Sequence, residues 1–133
     1  KNKIIMNNLI IDATGDKIFL TFIVRNTIYT CSHQNSKINF EKLMILIDEF
    51  LMKNKSSLNH IDSIYVNRGP GSFAGIRNSL ATIKALLLTK KIDYYCFSFD
   101  DFSEFKSIKY VDVPQLCKKY KIKKNLINPI YLS

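Results

Sequence analysis

The stretch Arg68-Gly69-Pro70-Gly71-Ser72-Phe73-Ala74-Gly75-Ile76-Arg77 is the most informative part of this 133-residue sequence. It lies between a predicted strand, residues 61–67, and a predicted helix, residues 75–91. At such a junction, backbone amides and a helix N-terminus can hold an anion. Its glycines permit close backbone approach and positive φ angles. The flanking Arg68 and Arg77 could clamp a phosphate or a carboxylate.

Two interpretations of this segment, here called the glycine loop (residues 68–77), stay open from the residues alone. The loop matches neither GxxxxGK[ST] nor GxGxxG, because its glycines are spaced GxGxxxG. It therefore predicts either an anion or partner contact, or a tight turn plugged by a buried Phe73. The candidate site residues are Arg68, Gly69, Pro70, Gly71, Ser72, Phe73, Gly75 and Arg77.

The hydrophobic patterns around the glycine loop predict an α/β fold with the order β-β-β-α-β-α-β. Three apolar, β-branched segments at the start predict an antiparallel meander. Two helical patterns, the first capped by Asn39, predict crossovers to parallel strands. We therefore expect a five-stranded mixed sheet with two main helices. The predicted strands are residues 4–12, 17–25, 27–32, 61–67 and 94–99, and the predicted helices are residues 39–53, 75–91 and a short 111–120.

Both main helices carry more apolar residues than packing against one sheet face requires. The second helix has an extra stripe of small residues, which lets another helix approach closely. This surplus predicts either contact with a partner or additional packing on the sheet. The candidate interface residues are Leu43, Leu46, Ile47, Phe50, Ala81, Ala85 and Leu88.

The charge and cysteine content limit the class of protein. The net charge of +9 favours a polyanion such as RNA, or an acidic protein surface, as partner. The basic run 118–124 surrounds Tyr120 and predicts either a stand-alone RNA-binding tail or a solvated one. The three cysteines form no CxxC pair, which favours a reduced, cytoplasmic location. No apolar run approaches the roughly 20 residues that cross a bilayer.

The residues give little support for hydrolytic chemistry. His33 and His60 are far apart, and no HExxH pattern is present to hold zinc. Ser72 has no neighbouring base in the sequence, so a nucleophilic role is disfavoured. We therefore predict no catalytic residue and no metal site. Asp12, at the end of the first predicted strand, is interpreted as a turn residue.

The string RGPGSFAGIR closely resembles the GPGSFTGIR motif of the TsaB (YeaZ) family. Ile11-Asp12-Ala13-Thr14 resembles the end of that family's opening strand, and residues 128–133 resemble its Pro-x-Tyr-Leu-Arg ending. The resemblance covers about residues 4–100 and the last six residues. The departures from the family pattern are Ala74 for Thr, Asn39-Phe40 for His-Ser or His-Thr, and Ser133 for Arg.

The resemblance implies a single actin-like, ribonuclease-H-like lobe at residues 1–100. Residues 101–133 would be a short basic tail replacing the family's second lobe. It also implies a non-catalytic partner in the threonylcarbamoylation of tRNA adenosine, at position 37 of the tRNA. The implied partners are TsaD-like and TsaE-like proteins, with a homodimer when the chain is alone and tRNA reached through the complex. No cofactor is implied, except an ATP or ADP contact within the complex.

The resemblance leaves two other functions as alternatives. A nucleotide-binding module would use the glycine loop at a dimer interface. A metallopeptidase would fit the older glycoprotease label of the wider family, but the histidine spacing speaks against it.

Overall fold

The first three strands follow one another through short connections, which favours antiparallel pairing between neighbours. The structure, a computed structural model, describes residues 6–131. In it β1 (Asn8–Asp12), β2 (Lys17–Val24) and β3 (Thr27–Gln34) form the predicted antiparallel meander. β4 (Ser63–Asn67) and β5 (Asp93–Phe97) add in parallel beside β1, which gives the order β3-β2-β1-β4-β5. The predicted five-stranded mixed sheet is therefore confirmed.

The helices lie between these strands. The helices α1 (Lys37–Glu41) and α2 (Leu43–Lys53) follow β3, and α3 (Phe73–Lys90) connects β4 to β5. After β5 come two short 3-10 turns and then α4 (Val113–Lys119). Among residues 6–131, no helix combines the length and the apolarity that a bilayer span requires.

The first predicted helix is wrong in its start and in its continuity. Ser36, rather than Asn39, caps α1, because its hydroxyl accepts a hydrogen bond from the Asn39 amide at 3.3 Å. The helix is then interrupted at Lys42, where the backbone leaves the helical conformation (φ −112°, ψ 25°). The side chain of Asn39 instead donates to the Gln34 carbonyl at 2.7 Å.

The remaining boundaries differ from the predicted ones by a few residues. A 3-10 turn at Leu58–His60 delays the fourth strand, and β5 ends before a second 3-10 turn at Phe99–Asp101. In contrast, α3 begins earlier than predicted because Ser72 caps it. The first strand begins at Asn8, and residues 4 and 5 of the prediction lie outside the described residues.

Two hydrophobic clusters occupy the two faces of the sheet. On the first face, α2 and α3 bury the larger cluster, which includes Ile47, Ile76 and Ile83. On the second face, α4 and the segment before it cover Ile10, Tyr65 and Phe97. Residues 101–131 thus pack against the sheet with an apolar side of their own.

Candidate functional site

The glycine loop is closely packed against two other segments of backbone. A Cβ atom on Gly69 would overlap the Ile130 carbonyl oxygen, and one on Gly75 would overlap that of Ala13. A Cβ atom on Gly71 would come within 2.7 Å of the Thr14 Cβ. Among the loop glycines only Gly69 has a positive φ, at 113°, so Gly71 and Gly75 serve close approach.

Hydrogen bonds hold the loop in this position. Ser72 caps α3 by accepting from the Gly75 amide at 3.1 Å, and its own amide donates to the Thr14 carbonyl at 2.8 Å. At the other end of the loop, the Ile130 amide donates to the Arg68 carbonyl at 2.7 Å. The loop therefore joins the end of β1 to the segment at residue 130 through main-chain contacts.

The two arginines have different surroundings, because Arg68 is engaged inside the chain and Arg77 is exposed. Arg68 pairs with Asp101 through Nη2 to Oδ1 at 2.6 Å and Nε to Oδ2 at 3.4 Å. Its Nη1 donates to the Asn128 carbonyl at 3.0 Å, so all three contacts lie inside the chain. Arg77 is exposed and lies 6.0 Å from the centre of the Phe73 ring.

Phe73 does not plug the turn, because its side chain is 53% exposed. Its ring packs at 4.6 Å, centre to centre, against Tyr131. The prediction of a buried Phe73 is therefore wrong, although the tight strand-to-helix turn itself is present. Pro70, the remaining residue of the motif, is also exposed.

Asp12 lies at the carboxyl end of β1 and accepts hydrogen bonds on both carboxylate oxygens. Oδ1 accepts from the Thr14 amide at 3.0 Å and from the Thr14 hydroxyl at 2.6 Å. Oδ2 accepts from the Asn67 amide group at 3.1 Å and from the Tyr110 hydroxyl at 2.6 Å. Burial, together with the Asp12 carboxylate, raises the pKa of Tyr110 well above its ordinary value. Asp12 thus organises a buried polar corner beside the glycine loop.

An open groove of about 820 Å³ lies between the β1–β2 turn, the end of β3 and the glycine loop. Its only charged lining residue is Asp16. A phosphate in this groove would meet no lysine or arginine among the lining residues. The groove is lined by Thr14, Gly15, Asp16, Gln34, Asn35, Phe40, Gly71, Ser72 and Ala74.

The predicted interface residues separate into two groups. Leu43, Leu46, Ile47 and Phe50 are buried inside the chain, so no partner reaches them while α2 stays packed. In contrast, Ala81, Ala85 and Leu88 are exposed along α3, with Leu88 at 73%.

The outer side of α2 presents apolar residues that the sequence interpretation did not select. Ile45 is 55% exposed and Met52 is 70% exposed, and they stand two turns apart. Because α2 and α3 pack side by side on one sheet face, these residues and the α3 stripe share one outward surface. We call the set Ile45, Met52, Ala81, Ala85 and Leu88 the helix face.

The other candidate chemical groups are engaged locally. The ring of His33 lies 3.8 Å from the Cys31 sulfur, and that of His60 lies 3.4 Å from the Ser57 hydroxyl. Within residues 6–131, no three His, Cys, Asp or Glu side chains are grouped as metal ligands. The Tyr120 hydroxyl donates to the Glu104 carboxylate at 2.6 Å, which holds this ring against the body of the chain.

Comparisons with known proteins show which family this chain is similar to. Residues 34–98, which include the glycine loop, match the family model described as TsaD, tRNA N6-adenosine threonylcarbamoyltransferase. A TsaB from Buchnera aphidicola subsp. Baizongia pistaciae is 40% identical over 65 residues, and one from subsp. Schizaphis graminum is 30% identical over 90 residues. Both are named tRNA threonylcarbamoyladenosine biosynthesis protein TsaB. The chain belongs to the TsaB (YeaZ) family.

Solved structures agree with this placement at the level of the fold. YeaZ from Pseudomonas aeruginosa superposes with a TM-score of 0.64 at 17% identity, over 70% of this chain and 44% of that one. A second structure, titled as an uncharacterized protein with similarity to peptidase YEAZ from the same organism, gives the same score. The TsaB-family chain thus has the YeaZ fold, consistent with a single ribonuclease-H-like lobe.

The matched lengths differ between this chain and its relatives. The alignments cover 42% and 68% of this TsaB-family chain, but only 29% and 43% of the two Buchnera proteins. The chain therefore spans less than half the length of the curated relatives that it matches.

Proposed function

We propose that this chain is a non-catalytic subunit in the synthesis of threonylcarbamoyladenosine on tRNA, and that it acts by pairing with a TsaD-like protein. The names of both Buchnera relatives support the pathway. The observation that supports pairing is the helix face, an exposed apolar surface on two adjacent helices. The division into a lobe at residues 1–100 and a basic tail at 101–133 is part of this proposal.

The state of Asp12 supports a non-catalytic role. A carboxylate that binds a metal needs free oxygen lone pairs directed at the ion. Here four donors from Thr14, Asn67 and Tyr110 occupy the two oxygens of Asp12. The Arg68 guanidinium is likewise held by Asp101 and Asn128. The polar groups nearest the glycine loop therefore stabilise the fold.

The composition of the helix face supports a helix-to-helix contact. The small Ala81 and Ala85 allow close approach of a second backbone, and Leu88 and Met52 supply larger apolar side chains. Exposed Asp48 and Glu49 flank the α2 part, and exposed Arg77 and Lys84 flank the α3 part. The α3 part is basic, and the α2 part carries both signs because exposed Lys53 stands one turn from Glu49. Two copies related by a twofold axis can place Asp48 and Glu49 of one copy against the basic side of α3 of the other.

The same surface accounts for the proposed partners. A TsaD-like protein with a related lobe would cover the helix face in the complex, and a second copy would cover it when the chain is alone. A TsaE-like protein and tRNA would join through that complex. We assign no nucleotide to the groove at the glycine loop, because its lining contains no cation. At this groove, an ATP or ADP contact is proposed only inside the complex.

The experiment measures threonylcarbamoyladenosine in tRNA from cells depleted of their own TsaB and supplied with this protein. Digested tRNA is analysed by mass spectrometry for wild type, Ala85→Glu on the helix face, and Thr30→Glu on exposed β3 as the matched control. Wild type and Thr30→Glu are expected to restore the nucleoside, and Ala85→Glu is not. Failure of the folded wild type to restore it, or full restoration by Ala85→Glu, would contradict the proposal.

A further inference from the structure

A second cavity, of about 650 Å³, lies on the opposite face of the sheet from the helix face. It opens between the first residues of β1, the middle of β4 and β5, and α4. Its volume is within the range of about 300–1,000 Å³ that is usual for small-molecule pockets. Its walls include Met6, Tyr65, Tyr95, Pro114, Lys118, Lys121 and Ile122.

The floor of this cavity is aromatic. Tyr65 and Tyr95 stand on neighbouring parallel strands and stack with 5.0 Å between ring centres and 11° between planes. Pro114 of α4 and Ile122 add apolar surface around them. A planar ring can extend such a stacked pair on its outer face, and stacking on aromatic side chains tolerates any base.

The rim of the cavity is basic. Lys118 lies in the last turn of α4, and Lys121 follows it in the left-handed conformation, with φ at 55°. The turn between them is closed by hydrogen bonds from the Lys121 amide to the Lys118 carbonyl at 3.3 Å and from the Ile122 amide to the Cys117 carbonyl at 2.9 Å. This closed turn holds both lysines beside the cavity. Within residues 6–131, neither lysine forms an ion pair.

We propose that this cavity binds a single nucleotide, with the base against Tyr65 and Tyr95 and the phosphate at Lys118 and Lys121. Aromatic surface beside unpaired cations is the combination that recognises an unstacked nucleotide. A free mononucleotide and an unpaired nucleotide of an RNA strand share this chemistry. The net charge of +9 adds a general attraction for either ligand. The proposal uses no residue of the helix face and stands apart from the pairing proposal.

The backbone conformation at Lys121 permits a substitution that removes the charge without disturbing the turn. Glycine adopts a positive φ without steric cost, so Lys121→Gly removes the cation and keeps the closed turn. Lys91 ends α3 in the same conformation, with φ at 56°, and is not among the residues that line the cavity. Lys91→Gly is therefore a control matched in charge and in backbone geometry.

The experiment measures binding of AMP and of a four-nucleotide single-stranded RNA by isothermal titration calorimetry. Wild type and Lys91→Gly are expected to bind with equal affinity, and Lys121→Gly roughly five- to tenfold more weakly, because one charged contact to phosphate is lost. Tyr95→Leu, which keeps much of the side-chain volume, is expected to lose about tenfold through stacking. Circular dichroism of each variant verifies that it remains folded.

The two ligands distinguish the source of the nucleotide. Binding of both AMP and the oligonucleotide indicates a pocket for a free nucleotide, and binding of the oligonucleotide alone indicates a base presented by RNA. Either result supports the proposed site if Lys121→Gly weakens binding and Lys91→Gly does not. The proposal is overturned if neither ligand binds saturably, or if Lys91→Gly and Lys121→Gly weaken binding equally, since the effect is then bulk charge.

Discussion

Replacing Gly75 with alanine tests whether the glycine loop packs tightly against the backbone at the end of β1. In an ordinary helix this change is stabilising by about 1 kcal/mol, because alanine has the higher helix propensity. Here the new methyl group would overlap the Ala13 carbonyl oxygen and lie 3.0 Å from its carbon and 3.2 Å from the Asn35 side-chain nitrogen. Ordinary contacts between such atoms are at about 3.5 Å or more, so α3 and β1 must separate.

The expected magnitude follows from these two opposing terms. Overpacking against backbone costs about 3 kcal/mol at the upper end of its usual range. After the propensity gain of about 1 kcal/mol is subtracted, Gly75→Ala should lower the free energy of unfolding by about 2 kcal/mol. The matched control is Gly15→Ala, since a Cβ atom there meets nothing within 4 Å.

Urea denaturation followed by circular dichroism compares the two variants with wild type. Gly15→Ala should remain within about 0.5 kcal/mol of wild type. If Gly75→Ala proved as stable as Gly15→Ala, the loop would not be packed as described. That result would favour the alternative interpretation, in which the glycines of the loop bind an anion.

Three further changes probe the polar groups around the loop by their effect on the free energy of unfolding. Arg68→Gln removes the cation from the half-buried Asp101 carboxylate, which keeps the Ser98 amide as a donor at 2.8 Å, and should cost about 1–3 kcal/mol. Exposed Arg77→Gln should cost under about 0.5 kcal/mol, and equal losses would contradict the assigned roles. Tyr110→Phe removes a donor to a buried carboxylate and should cost about 1–2 kcal/mol in thermal melts, and an unchanged melting temperature would refute that contact. Burial raises the pKa of Cys96 to about 12, so as pH rises the unfolded chain releases this proton before the folded chain does. The free energy of unfolding should therefore fall between about pH 9 and about pH 12. If its slope against pH were the same in Cys96→Ala as in wild type, the thiol would not be buried as described.

The sequence was sufficient for the elements whose patterns are local. The apolar, β-branched segments at the start and the apolar stripe of α3 predicted the order of elements, and the glycine string predicted the family. The cap of the first helix was predicted at Asn39 because Asn is a favoured capping residue. In the structure Ser36 caps the helix instead. Its position depends on the chain path after β3, which a local pattern does not contain.

The roles of the site residues depended on contacts between residues distant in the chain. Arg68 meets Asp101, and Asp12 meets Tyr110 across 98 residues, so neither partnership shows in a motif. The interface prediction selected the most apolar stripe of α2, which is the stripe that packs on the sheet. The exposed Ile45 stood off that stripe, and this was the one sequence feature that could have indicated the outer face.

Size-exclusion chromatography with light scattering, on this chain mixed with the TsaD-family protein of the same organism, tests the central claim most directly. The account predicts a complex with one copy of each chain, or two of each, that is lost in Ala85→Glu and kept in Thr30→Glu. Two separate peaks for the wild-type mixture, under salt conditions where other TsaB–TsaD pairs associate, would contradict the claim that the helix face is a pairing surface.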